Sequence, residues 1–272
     1  MIVQSAAAGQ PHFVITMAQH TAFAGAMARA FGNDNFEPIA PRDLVLYVID
    51  HHDAGWAPID AEIGVDPKTH LPYNLVGTPR QQVIRTSYGS PDWNERKHPY
   101  CGLLSSMHIY GLYNARYGLA DAAVRNVPPP EFKDQMEAMQ RHQEQRQERL
   151  KKELQAFPET AGLADEEQIF LNYKQLQFFD LTALYFNLRY PGGRGEGSFR
   201  SVPRNRREDA TVNVRERDPK TYAFDPFPWR EDGVEIVFEG RYLDPKDESA
   251  EAMRARLAAR PVERQRLRFV RA

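Results

Sequence analysis

Residues 43–53 read DLVLYVIDHHD. From Leu44 to Ile49 the segment offers almost no polar face, so it is expected to be a deeply buried helix, with Pro41 suited to its first turn. Its end has the opposite character. Asp50, His51, His52 and Asp53 follow one another, and Ala54-Gly55 then stops the helix. Carboxylates at the end of a buried helix need partners, because an unpaired one is strongly disfavoured in an apolar interior.

Three other places offer such partners. His20 lies on a helical face shared with Met17, Ala24 and Met27. His108 stands four residues after Leu104 and four before Leu112. Asp180 is centred in LQFFDLTALYF, with Leu176 and Leu184 one turn away on either side. Singly, each histidine would be a hydrogen-bonded core residue, and Arg29, Arg116 or Arg189 could neutralise Asp180. Together, three helices bring a histidine toward the core and a fourth brings an aspartate. Imidazole and carboxylate suit divalent Mn, Fe, Zn or Ni. Inward-facing ligands on separate helices are a common construction for a metal site in a bundle.

The order His20, His52-Asp53, Asp180 resembles the HD-domain superfamily of metal-dependent phosphohydrolases, over roughly residues 12–195. The segments QH (19–20), HDAGW (52–56), PYCGLLSSMH (99–108) and LQFFDLTALYF (176–186) look like an uncharacterised bacterial family of HD-like proteins. The resemblance implies that His20, His52, Asp53 and Asp180 ligate a first ion and that His108 helps to recruit a second. His70, His98 and His142 sit in a Pro-rich loop or on a polar helix, and none makes a convincing sixth ligand. Adjacent helix residues point about 100° apart, so His51 and His52 cannot share one role. The implied chemistry is metal-assisted hydrolysis of a small anionic substrate, a phosphorylated metabolite or nucleotide. Asp53 or His51 would take the proton. Trp56 and Asp60 would line the pocket, while Arg189 and Arg194, with Arg200 and Arg204, would close over the anion. Two other functions remain open: a di-iron oxygenase of the same fold, and a non-catalytic binding module.

Outward from these residues, Met1–Gln4 and His12–Thr16 are expected to form a hairpin, followed by a helix from Met17 to about Phe31. Six prolines between residues 56 and 99 predict a long ordered loop with short helical pieces. Further helices are expected over Tyr100–Tyr117, Glu131–Ala156 and Asp165–Tyr190, the last with Asp165 as its N-cap. Arg194–Asp218 reads as irregular. Val234–Leu243 reads as a strand, Ser249–Ala259 as a helix and Leu267–Val270 as a final strand. The expected fold is therefore mainly α: an HD-domain-like helical bundle with a small β element formed by the N- and C-terminal segments. Residues 1–195 would be the metal-binding domain, and 196–272 an irregular and β extension packed on it.

Composition narrows the classes. The chain has 272 residues, 42% of them hydrophobic, with a net charge of -2. That is enough to bury a core and shows no basic excess of the kind a nucleic-acid binder carries. The single cysteine, Cys101, excludes an intrachain disulfide. No apolar run reaches membrane-spanning length, and MIVQSAAAGQ lacks a signal peptide's basic start and apolar core. A cytoplasmic location is the expectation. Residues 192–197, GGRGEG, lack the GK[ST] ending of a phosphate loop.

Overall fold

The computed structural model describes residues 1–121 and 129–272. In chain order its strands and helices are β1 (Ile2–Val3), β2 (His12–Ile15), α1 (Met17–Ala30), α2 (Arg42–His51), α3 (Ala57–Ala61), β3 (Val65–Asp66), β4 (Leu71–Pro72), α4 (Arg80–Lys97), α5 (Pro99–Tyr113), α6 (Lys133–Gln155), α7 (Pro158–Ala161), α8 (Glu166–Leu188), β5 (Glu196–Pro203), β6 (Asp209–Asp218), β7 (Thr221–Asp225), β8 (Val234–Leu243), α9 (Ala250–Ala259) and β9 (Glu263–Arg271). No helix of the described residues is long and apolar enough to cross a membrane.

The expectation of a mainly α bundle with a small β element is overturned. About 51% of the chain is helical and 21% is strand. Seven strands form one curled, mixed sheet in the order β1-β2-β8-β9-β7-β6-β5, so the fold is α/β with a half-barrel wall. All neighbours are antiparallel except β7 and β9, which run parallel. The N-terminal hairpin joins this sheet through β2, with Phe13 opposite Tyr242.

The discrepancy arises at Arg194–Asp218, which holds two strands rather than irregular chain. In β6, Val212 and Val214 are buried while Thr211, Asn213 and Arg215 face solvent. This is the period-2 pattern of a half-buried strand, but only two apolar residues carry it among many charges. In β5 a bulge between Phe199 and Val202, with Ser201 in the left-handed region at φ 57°, breaks the alternation altogether.

Residues 56–99 depart from expectation in the other direction. Most of the second half is α4, which carries Pro91 in its interior. A proline there removes the bond to the carbonyl four residues earlier. That carbonyl, on Ser87, instead accepts a hydrogen bond from the Gln143 amide of α6 at 3.0 Å. A distant helix thus supplies the donor that the local sequence lacks. α4 also lies hard against the turn after α2: a Cβ at Gly55 would sit 2.5 Å from the Ser90 nitrogen, so only glycine fits there. The Ser90 hydroxyl accepts from the Gly55 N–H, and Asn94 donates to the carbonyl of His51.

The helices pack on the sheet through α1 and α8. Phe186 of α8 meets Phe23 of α1 and Tyr222 and Phe269 of the sheet, while Trp229 packs against Phe31, Phe178, Phe224 and Phe269. Asp165 caps α8 by accepting from the Gln168 N–H.

The β6 assignment yields a test. Val214→Asp buries a carboxylate in the sheet's inner face and should cost about 3 kcal/mol or more, whereas Asn213→Asp should change stability by under about 0.5 kcal/mol. Urea unfolding of the two variants checks this, and equal small effects would mean that the segment is not a core strand.

Candidate metal centre

Four helices deliver the candidate ligands. His20 comes from the first turn of α1, His52 and Asp53 from the end of α2, His108 from α5 and Asp180 from the middle of α8. His20 and His52 are 0% exposed, His108 2% and Asp180 4%, and Asp53 is 9% exposed at the rim. The structure brings all five together. Donor atoms of His20, His52 and Asp180 lie within 4.8 Å of one another, as do those of His52, Asp53 and His108.

Each imidazole is oriented through its Nδ1, with Nε2 left for the cluster. The His52 Nδ1–H donates to the carbonyl of Ile49 at 2.9 Å. A carbonyl can only accept, so neutral His52 carries its lone pair on Nε2. That atom is buried and has no hydrogen-bond partner among the described residues. It lies 3.5 Å from Asp53 Oδ2 and 3.7 Å from Asp180 Oδ1. His20 repeats the arrangement: Nδ1 bonds Asn187 Oδ1 at 2.9 Å, and Nε2 stands 3.3 Å from Asp180 Oδ1. Nitrogen lone pairs thus face carboxylate oxygens in a space without water-like exposure. Such a contact is repulsive unless a proton or a cation lies between.

The distances suit a cation. Two atoms each about 2.1 Å from one ion lie about 3.4 Å apart in a tetrahedron and about 3.0 Å apart on an octahedral edge. The observed separations of 3.3, 3.5 and 3.7 Å bracket the tetrahedral value. His108 Nδ1 lies 2.9 Å from the Gln177 side-chain amide nitrogen, and turning that amide over brings its unpartnered Oε1 to accept the Nδ1–H, which leaves the Nε2 lone pair for an ion and gives the outer-sphere support that metal-bound histidines usually have. The residues present therefore fit a divalent transition metal.

Without such an ion, protons must fill the role. Burial pushes the His52 imidazolium down, but Asp53 and Asp180 outweigh it and raise its pKa to about 9. Burial alone would raise Asp180, yet the His20 hydrogen bond and the neighbouring His52 and His108 imidazoles hold it well below the usual carboxylate range. Burial drives His108 down to about 4, which keeps its imidazole neutral and able to ligate.

A cavity of about 280 Å³ opens beside the cluster, bordered by His20, Asp53, His108 and Asp180. Trp56, 2% exposed, forms part of its wall. The other expected pocket residues lie elsewhere. Both carboxylate oxygens of Asp60 are engaged, one by the Met1 ammonium and one by the Met17 N–H, each at 2.6 Å. Arg194 is 0% exposed and binds the carbonyls of Phe186 and Arg189 at the C-terminal end of α8, together with Gln265 and Tyr222. It is a helix cap. Arg189 is exposed and donates to the Arg194 carbonyl, Arg200 pairs with Asp121, and Arg204 with Glu208. None of these arginines borders the cavity. His51 stacks on Tyr47, gives its Nδ1–H to the Tyr47 carbonyl, and faces a separate surface hollow of about 420 Å³ with Trp93 and the other side of Asp53.

The cations that do border the cavity are Arg80 and Arg116. Arg116 follows α5 in a run of left-handed residues: Ala115 at φ 46°, Arg116 at 51° and Tyr117 at 57°. Non-glycine residues there cost on the order of 1 kcal/mol each. No periodicity announces such a turn, so the sequence offers Arg116 as a possible counter-charge for Asp180 and gives no sign that it borders the cavity. Gln177 and Asn187 were more accessible, being polar residues on a face of α8 near Asp180.

Asp180→Asn keeps volume but removes the charge of a candidate ligand, and should lower metal content, measured by elemental analysis, well below that of the wild type. Arg194→Met should keep the wild-type metal content but cost about 3 kcal/mol or more in urea unfolding, since it strands buried carbonyls. The reverse pattern would exchange the roles assigned to these two residues.

Comparison with known sequences finds one family match, described as "Protein of unknown function (DUF3891)", over residues 1–245. No curated protein and no solved structure matches.

Proposed function

We propose that this chain, which belongs to that family of proteins of unknown function, is a metal-dependent phosphohydrolase acting on a small phosphorylated molecule. The observation that carries this reading is the buried, unpartnered Nε2 of His52, directed at Asp53 and Asp180. The order of the ligands along successive helices supports the wider relationship to the HD-domain superfamily, which forms part of the proposal. His20, His52, Asp53 and Asp180 would hold one ion, and His52, Asp53 and His108 offer a second group of donors that shares His52. A divalent cation bound there supplies charge to polarise a phosphoryl oxygen and to acidify a water.

The chain's own residues do the remainder. Asp53 stands at the rim, reachable from the cavity, and can accept the proton of an attacking water. Asn187 and Ile49 fix the imidazoles of His20 and His52, so little reorganisation is needed when charge develops. Trp56, Ile109 and Leu184 exclude bulk water and strengthen every charge interaction inside.

The shared position of His52 also favours a second reading, a two-iron centre performing oxidative cleavage of a small substrate. Two iron ions per chain with oxygen-consuming turnover would select it.

The test begins with protein purified without chelator, assayed for phosphate release from a panel of phosphomonoesters with Mn, Fe, Zn or Ni. Release should vanish with chelator, return with metal, and fall at least about 100-fold in kcat for Asp53→Asn. If no cation binds under any of these conditions, the cluster is a buried hydrogen-bond network and the chain a binding module.

A further inference from the structure

Arg116 is an unusual residue to find beside a cluster of ligands. It is 7% exposed, and its Nε has no hydrogen-bond partner among the described residues. No carboxylate among them forms an ion pair with it. Residues 122–128, Ala-Ala-Val-Arg-Asn-Val-Pro, contain no acidic side chain that could do so. A buried guanidinium without a counter-ion is strongly disfavoured. A chain that keeps one there, on three consecutive left-handed residues, is holding it for something that arrives from outside.

The cavity says what that would be. His108 and Leu112 of α5 line it one turn apart, and Arg116 continues the same wall beyond the helix end. Arg80, at the start of α4, stands at the cavity too and makes no ion pair among the described residues. In net charge alone Asp53 and Asp180 offset the two guanidiniums, though neither pairs with them among the described residues. A divalent cation in the ligand cluster then leaves two positive charges over, which a dianion would neutralise. A phosphate monoester is a dianion above its second pKa of about 6, and a guanidinium fork matches its oxygens. Most of the remaining lining is apolar, with Trp56, Leu75, Val76, Ile109, Leu112 and Leu184, and the two hydroxyls beside them, of Thr86 and Ser87, both donate to the Val83 carbonyl. Val76 is 87% exposed and forms an uncovered apolar lip. At about 280 Å³ the space lies at the lower end of ligand pockets, too small for a dinucleotide.

We propose that Arg116, assisted by Arg80, is the anion-binding element of this cavity, and that its ligand is a small organic phosphate whose carbon body is apolar. This rests on the metal-hydrolase reading above and specifies its substrate.

The experiment is calorimetric titration of the full, metal-loaded chain with phenylphosphonate, a phosphate ester mimic that hydrolysis cannot consume, and with inorganic phosphate. Phenylphosphonate should bind about tenfold or more tightly than phosphate, and Leu112→Asn should erase that preference. Arg116→Gln should weaken both ligands by about 10- to 100-fold while leaving metal content and Tm no lower than wild type, because it removes an unpaired buried charge. Arg116→Lys keeps the charge without the fork and should fall between the two, and it serves if the glutamine variant does not fold. Unchanged affinity in both variants overturns the proposal, as does a Tm loss of several degrees with affinity intact, which would make Arg116 structural. Phosphate release that persists with unaltered KM in Arg116→Gln sinks this inference but spares the hydrolase. Arg116-dependent binding in a chain that hydrolyses no phosphomonoester with any metal does the opposite.

Discussion

Two carboxylates and two imidazole nitrogens converge in the buried interior beside one cavity, and the rest of the helical half is arranged around that charge. The Ile49 carbonyl fixes the tautomer of His52 and so directs its lone pair at Asp53 and Asp180. Once that is set, positive charge must be present, as a proton or a metal ion. The geometry that creates this requirement comes from backbone: α2 ends at His51, and the turn carrying His52 and Asp53 is pressed against α4 by the contact between Gly55 and Ser90.

Among the described residues no hydrogen bond or ion pair joins the sheet to the five candidate ligands, yet the sheet holds the end of the helix that carries Asp180. Phe186, one and a half turns beyond Asp180, is held among Tyr222 and Phe269 of the sheet. Arg194 ties the carbonyls at the end of α8 to Gln265 of β9 and Tyr222 of β7. A curled wall of seven strands thus acts as a rigid seat for one helix, and that helix contributes Asp180, Gln177 and Asn187 to the centre and its supports. The arginine that seemed suited to a substrate is a strut of this seat. The arginine suited to a ligand is on the other side of the centre, where a break after α5 turns it inward.

Much of the centre was legible because its signal is local. A charged residue amid apolar neighbours at helical spacing, as at His108 or Asp180, is visible in a window of ten residues. The hairpin, α1, α2, α8 and α9 were visible in windows as short, and the cap Asp165 marked the start of α8. The fold class was not. β5 and β6 carry few apolar residues and a bulge, and they are strands because β6 pairs with β7 and β5 with β6, which extends the sheet to its edge. α4 tolerates Pro91 because Gln143, far along the chain, bonds the carbonyl that proline frees.

Hydrophobic periodicity and the cost of lone buried charges act within single helices, so the amino-acid order alone shows which charged side chains are buried and that they need partners. Which nitrogen His20 and His108 present, which arginines face the cavity, and the half-barrel sheet behind the helices follow from long-range contacts. Those outcomes depend on hydrogen bonds and strand pairings between residues tens to hundreds of positions apart, and no local pattern encodes them.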